Sequence, residues 1–308
     1  MKDKSCIFCH LESNEIVIEE NGYYGKKCPN CNLIYTTPRP KLDEIIDFYG
    51  HDHSNISAQE HIEDKFVKQL YAKHNLNHMR HYVKGGTMLE IGAGAGYFLK
   101  IAKEYGYEVY GIELNEKQAI FIQNGLNVQC ESTPLSDKSF GNKKFDIIYH
   151  CDVISHFYDP IAEFVKTKSK LNNNGYIIFE TGNLSDVEKK YYKYLKHFQY
   201  PDHLFFFGDK NIKILLEQTG FELIKIYRYS ILPQLYLLKL IRRFATFFNT
   251  NRTDVSPNLQ SVNSQKGRFD KFIKNLYSYF FYLIRYKLGR IVPKHGRPQT
   301  IIVIARSK

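Results

Sequence analysis

Four cysteines near the start of the chain stand as two C-x-x-C pairs, Cys6/Cys9 and Cys28/Cys31, with 18 residues between Cys9 and Cys28. Such a pair turns two sulfurs to one side of a tight knuckle, and two knuckles at this spacing make a four-thiolate zinc site. His10 follows the first pair, so CIFCH alone also fits covalent haem attachment. The second pair favours zinc, with a rubredoxin-like iron, disulfide exchange and haem as the alternatives. A closed four-sulfur site ties its segment together and does no catalysis. Gly22 and Gly25 suit a hairpin between the knuckles, and Asn32 stands where a residue tolerant of positive φ is useful.

A second chemistry is written in Glu90-Ile-Gly92-Ala-Gly94-Ala-Gly96-Tyr97. Glycines let the backbone pass close beneath a nucleotide-like ligand at the end of a strand. The spacing is G-x-G-x-G, with Tyr97 where a dinucleotide fingerprint wants its third glycine. Glu90 before the turn suits a cationic ligand and not a pyrophosphate. Glu113 closes the next strand-like run, where a carboxylate can accept both ribose hydroxyls.

Histidines supply the third. His156 follows FDIIYHCDVIS, and His203 lies in HFQYPDHLFFFGD, close after Tyr200 and Asp202. His51, His53, His61, His74, His78 and His81 crowd an earlier helical stretch without a carboxylate among the last three, and read as solvated or packing residues. Cys130 and Cys151 sit alone on strand-like segments and read as packing.

These groups need a scaffold. The chain has 308 residues, 43% hydrophobic, enough for one full core with appendages. From Gly85 the runs TMLEIG, YEVYGIEL, FDIIYHCD, GYIIFET and FELIKIYRY alternate with helical segments, which predicts a parallel, doubly wound α/β sheet. QTIIVIARS adds a last strand. The expected organisation is a ribbon (1–40), a helical linker or lid (41–84), a ligand-binding core (85–230), a basic helical insertion (231–297) and the final strand (298–308). Thirteen Lys and Arg between 231 and 300 face only Asp254 and Asp270, a difference equal to the whole chain's net charge of +11. In that insertion Lys239, Arg242 and Arg243 share one helical face, and Phe272, Leu276, Tyr279, Phe280 and Leu283 form an apolar stripe. The stripe suits a cap packed on the sheet, an anionic membrane or RNA phosphates. No stretch reaches the roughly 18 apolar residues of a spanning helix, and the charged N-terminus lacks a signal peptide's apolar core. A cytoplasmic location is expected, with peripheral contact at the inner face of the membrane as a variant of it.

The acidic-x-G-x-G-x-G pattern at Glu90–Gly96, with Glu113 after the second strand, resembles the class I methyltransferases that use S-adenosylmethionine. The resemblance spans about 85–230 and 299–306. It implies a Rossmann-like sheet, an enzyme, cofactor binding by Glu90, Gly92, Gly94, Gly96 and Glu113, and Glu131 and Ser132 at the adenine. Tyr200-x-Asp202-His203, with a ribbon before the domain, is similar to deoxysugar C-methyltransferases and related glycan methyltransferases; here Asp replaces their Glu and their large C-terminal domain is missing. That likeness implies methylation of a sugar or glycan precursor, nucleotide- or lipid-linked, on oxygen or carbon. His156 or His203 would be the base, and Tyr200 and Asp202 would position the substrate. Two rivals stand beside it: an RNA methyltransferase using the basic insertion, and a non-catalytic membrane-associated scaffold.

Overall fold

A computed structural model describes residues 5–45, 58–195, 198, 202–248 and 264–308. Its centre is a seven-stranded sheet of β4 (Gly86–Ile91), β5 (Tyr107–Ile112), β6 (Gln129–Glu131), β7 (Phe145–Cys151), β8 (Leu171–Gly182), β10 (Phe221–Ser230) and β11 (Gln299–Ser307). The strand order is β10-β11-β8-β7-β4-β5-β6. The central strands are almost unbroken apolar runs because both faces are covered: Ile301 through Ala305 of β11 are all fully buried.

The five runs read as parallel strands, β4, β5, β7, β8 and β10, do run parallel, and only the direction of the last strand departs from theirs. β11 runs antiparallel to both of its neighbours, β8 and β10, so the sheet is mixed. Its pairing explains why. Ser230 at the end of β10 faces Gln299 at the start of β11, so the two strands form a hairpin with residues 231–298 hung between paired ends. Closing a loop becomes only slowly costlier with length, so such an excursion leaves the pairing intact.

Helices α1 (Ala58–Glu63) and α2 (Lys65–Met79) precede the sheet. Within it come α3 (Tyr97–Glu104), α4 (Glu116–Leu126), α5 (Pro160–Ser169) and α6 (Asp209–Gln218). Local signals set their starts: Asn115 caps α4 by accepting from Gln118 N–H, and Asp159 caps α5 by accepting from Ala162 N–H, with Pro160 in the first turn. The excursion carries α7 (Leu232–Phe248) and α8 (Ser264–Leu283), which runs on into a π-helical turn at Ile284–Leu288.

At the N-terminus β1 (Ile16–Glu20), β2 (Tyr23–Lys27) and β3 (Ile34–Thr37) form an antiparallel ribbon, completed by β9 (Phe205–Phe206), which follows β8 in the chain. Cys6, Phe8, Leu33 and Tyr35 of the ribbon share one apolar cluster with Leu89, Phe145 and Phe179 of the main sheet. The ribbon is therefore built into the core. No helix among the described residues is long and apolar enough to cross a membrane.

Candidate active site

The ribbon's two knuckles have the same construction. His10 N–H donates to Cys6 O at 2.8 Å and Asn32 N–H to Cys28 O at 3.0 Å, with positive φ of 54° and 64° at the two donors. The exposed His10 is thus the left-handed residue that ends a knuckle, as Asn32 is in the other. A ligand sulfur from each of Cys6, Cys9, Cys28 and Cys31 lies within 4.8 Å of the others. The Cys6 and Cys31 sulfurs are 3.4 Å apart, far beyond the ~2.05 Å of a disulfide and near the ~3.8 Å edge of a tetrahedron with metal–sulfur bonds of about 2.3 Å. The cluster is compatible with a metal ion.

At the carboxyl ends of β4, β5, β7 and β8 opens a cavity of about 960 Å³. On its first side β4 delivers Glu90 and turns at Gly92, where φ is +71° and an added Cβ would stand 2.6 Å from Val153. Gly96, at φ +67°, starts α3 and would drive a Cβ into Ile122. Glu113 Oε2 accepts from Gly94 N–H at 2.6 Å and its Oε1 from Asn115 N–H at 2.9 Å, which holds the carboxylate across the turn. Glu90 is 4% exposed, and its Oε2 has no hydrogen-bond partner. Burial, then the charge of Glu113, pushes the Glu90 carboxyl well above its usual range. A buried acceptor with nothing to accept fits a cofactor ammonium. Glu90, Gly92, Gly94 and Glu113 line the cavity; Gly96 acts one step back, in the turn.

The adenine end was expected at Glu131 and Ser132. Glu131 and Ser132 are not among the cavity-lining residues; Pro134 and Leu135 are. Because β6 ends at Glu131, the chain turns there, and the Glu131 carboxylate instead accepts Phe140 N–H at 2.7 Å.

On the opposite side the histidines meet. His156 Nδ1 lies 3.0 Å from Asp202 O and 3.2 Å from Asp202 Oδ1, and the His156 and His203 rings are 4.6 Å apart. Burial opposes charge on His156, but the Asp202 side chain outweighs it and raises the imidazole above its usual value. His203 goes the other way, lowered to about 4 by burial and by His156, while its Nδ1 sits 3.0 Å from Phe198 O. Tyr200 lies outside the described residues. So do His51, His53 and the side chain of His61. His74 and His78 pack among Tyr227, Tyr229, Tyr282 and Tyr286, and His81 is exposed.

Four further polar groups line this side. Asp152 follows β7 in a left-handed conformation (φ 54°), Glu180 stands near the end of β8, Asn75 comes from α2 and Arg285 from the π-helical turn. Asn75 Nδ2 donates to Tyr149 OH at 2.8 Å and to Glu180 Oε2 at 2.5 Å, and Tyr286 OH donates to Glu180 Oε1 at 3.3 Å. Burial and the neighbouring Asp152 lift Glu180 to about 7. Cys151, read as packing, also lines the cavity, its thiol kept protonated by burial. A carboxylate inside the apolar run IIFET was the one available sign of Glu180. Nothing in the sequence marks Arg285, which reaches the cavity from the π-helical turn.

Comparisons with known proteins agree with this geometry. The family model described as "Methyltransferase domain" matches residues 64–226, more than half of the chain. A ubiquinone biosynthesis O-methyltransferase of Cereibacter sphaeroides is 24% identical over 105 residues, 32% of this chain and 42% of that protein. A tRNA U34 carboxymethyltransferase of Campylobacter lari is 29% identical over 110 residues, 34% of this chain and 38% of that one. The chain thus spans less than half the length of these curated relatives. Among solved structures, phosphoethanolamine N-methyltransferase 2 of Haemonchus contortus superposes with a TM-score of 0.51 at 17% identity, over 89% of this chain and 62% of that one, a likeness of fold. The family match speaks for the enzyme reading over the non-catalytic scaffold. Strand order, glycine turn and family model converge, and the chain belongs to the methyltransferase domain family.

Proposed function

We propose that the enzyme methylates a hydroxyl or carbon of a sugar or glycan precursor, with His156 as the base. The observation that carries this reading is the makeup of the acceptor side: Asn75, Asp152, Glu180, Arg285 and the His156–Asp202 pair surround it with donors and acceptors, and Phe206, edge-on to His203 at 5.5 Å, supplies a ring face. A polyol needs both, hydrogen bonds around its rim and an aromatic surface against its C–H face.

S-adenosylmethionine, when bound, supplies a methyl group on a sulfonium, so the leaving group is already activated. Glu113 is suited to the ribose and Glu90 to the ammonium. The work left to the protein is to align the acceptor and take its proton. Asp202 orients the His156 ring and favours its protonated form, so the proton leaving the acceptor as the new bond to the methyl carbon forms has a place to go. His203, with its low proton affinity, stays neutral and serves as a wall of the site. Of the two candidate bases, the ion pair favours His156. The four-cysteine cluster is assigned structural zinc, the ion that suits four thiolates.

The test is transfer of labelled methyl from S-adenosylmethionine into a host extract fractionated into small molecules, lipid-linked saccharides, RNA and protein. Label in a saccharide fraction, lost with His156→Ala, is the expected result. Label in nuclease-sensitive material would replace the sugar reading with the RNA one.

A further inference from the structure

The apolar stripe on α8 faces outward. At the start of the described side chains Phe272 is 62% exposed, Ile273 46%, Leu276 55%, Tyr277 49% and Phe280 49%, while the positions turned toward the protein include the polar Asn275 and Ser278. The last turn of α8 buries Phe281, but the described turns before it invert the usual arrangement of a surface helix, whose apolar face is its buried one. Beyond the π-turn, Ile291 is 77% exposed, and Tyr236, Leu240 and Ile241 of α7 are exposed as well. Eleven of the seventeen exposed large apolar side chains among the described residues fall between 236 and 291. Scattered exposed apolar residues need no explanation; a concentration like this one marks a contact surface.

The charge around it selects the partner. Lys271, Lys274, Lys287 and Arg290 are exposed on the same segment, and the excursion as a whole carries the chain's net positive charge. A second copy of the chain would bring like charges together. Nucleic acid would answer the charge but offer nothing to Ile273, Leu276 or Ile291, which have no ring to stack. An anionic bilayer answers both, taking the apolar side chains below its headgroups and the lysines and arginines among them. No helix among the described residues is long and apolar enough to cross a membrane, so the contact proposed is one of lying on the surface.

We infer that α8 and the turn after it form a docking face for the surface of an anionic phospholipid bilayer. The face is continuous with the active site: α8 leads directly into the turn that carries Arg285 to the cavity and Tyr286 to Glu180. Docking would set the acceptor side near the headgroups. This assignment does not depend on the acceptor being a sugar, since binding is measured without turnover.

The experiment is sedimentation of the full chain with phosphatidylcholine vesicles, with and without phosphatidylglycerol, for the wild type, for Phe272→Ser/Leu276→Ser/Phe280→Ser and for Lys271→Gln/Lys287→Gln/Arg290→Gln. The wild type should bind the anionic vesicles in preference, and each triple variant should bind them at least about tenfold more weakly with unchanged cofactor affinity. The chain has no tryptophan, so Phe280→Trp gives a single reporter that should shift to the blue on the anionic vesicles, a readout that survives a misfolded triple variant. Absence of vesicle binding by the wild type would overturn the assignment. So would undiminished binding by the serine variant, or an apolar-dependent dimer that leaves vesicles alone.

Discussion

One continuous stretch, residues 90–113, carries the carboxylate, glycine turn and ribose-side glutamate of the cofactor side, whereas the acceptor side draws Asn75, Asp152, Glu180, Asp202 and Arg285 from five separate segments. The first side is held by strand pairing and by backbone N–H groups that donate to the Glu113 carboxylate, all around a single βαβ unit. The second depends on distant pieces being brought together: β9 on the ribbon, α2 over the sheet and the π-turn at the end of the excursion. A cofactor shared by many enzymes can be met by one local device, while an acceptor is met by whatever surrounds that device.

If the two sides are separable, substitutions should divide cleanly between them. His156→Ala should lower kcat about 10²- to 10⁴-fold, the range for loss of a general base, with cofactor affinity unchanged by calorimetry. The pH profile sharpens this. Asp202 holds the His156 pKa above 6.5 against the pull of burial, and the base works only when neutral, so kcat/KM should rise with pH through a limb above 6.5. Asp202→Asn should move that limb to lower pH. A His156→Ala variant that instead loses cofactor binding would break the division. On the other side, Glu113→Ala should raise the cofactor Kd roughly 10- to 100-fold, the worth of its charge-assisted contacts, and leave the metal content of the cysteine cluster untouched. Equilibrium dialysis with labelled cofactor checks it; unchanged affinity would remove Glu113 from the site.

This division also governs what could be read from the sequence. The cofactor side was legible because its residues are neighbours in the chain and their spacing is fixed by the geometry of one turn. The cysteine knuckles were legible for the same reason, down to the left-handed Asn32. Glu131 closes the three-residue β6 and its carboxylate accepts Phe140 N–H, while Pro134 and Leu135 line the cavity. The antiparallel β11 escaped the alternation pattern because strand direction is set by the hairpin with β10, across a 68-residue gap. Arg285 counted only as one more charge in a basic segment, since a change of helical phase has no signature in residue type.

A ribbon that helps hold the acceptor side should couple metal to turnover. Tyr35 of β3 pairs with Phe205, Thr36 Oγ1 donates to His203 O at 2.7 Å, and Asn211 Nδ2 donates to Cys31 O at 2.8 Å. Chelation should therefore loosen the Asp202–His203 segment and reduce kcat about tenfold while the cofactor Kd stays within about twofold. Equal losses in both would mean that the metal supports the whole core and not one side of the cavity.

The smallest effect isolates Glu90, a group whose position costs the cofactor-free enzyme stability. Its folded pKa is raised, first by burial and then by Glu113. The sign follows from linkage: a group with a raised folded pKa favours the folded state below its unfolded value, near 4.5, and that advantage is lost as pH rises through the folded value. Glu90→Gln cannot ionise, so in the absence of cofactor its melting temperature should match the wild type in acid and exceed it by a few degrees as pH climbs beyond 4.5. Saturating cofactor should reverse the order at neutral pH, because the wild-type carboxylate then has an ammonium to pair with and the amide does not. A variant that melts below the wild type at every pH without cofactor would place Glu90 among the residues that hold the turn together, and the unpartnered oxygen would lose its meaning as half of a binding contact.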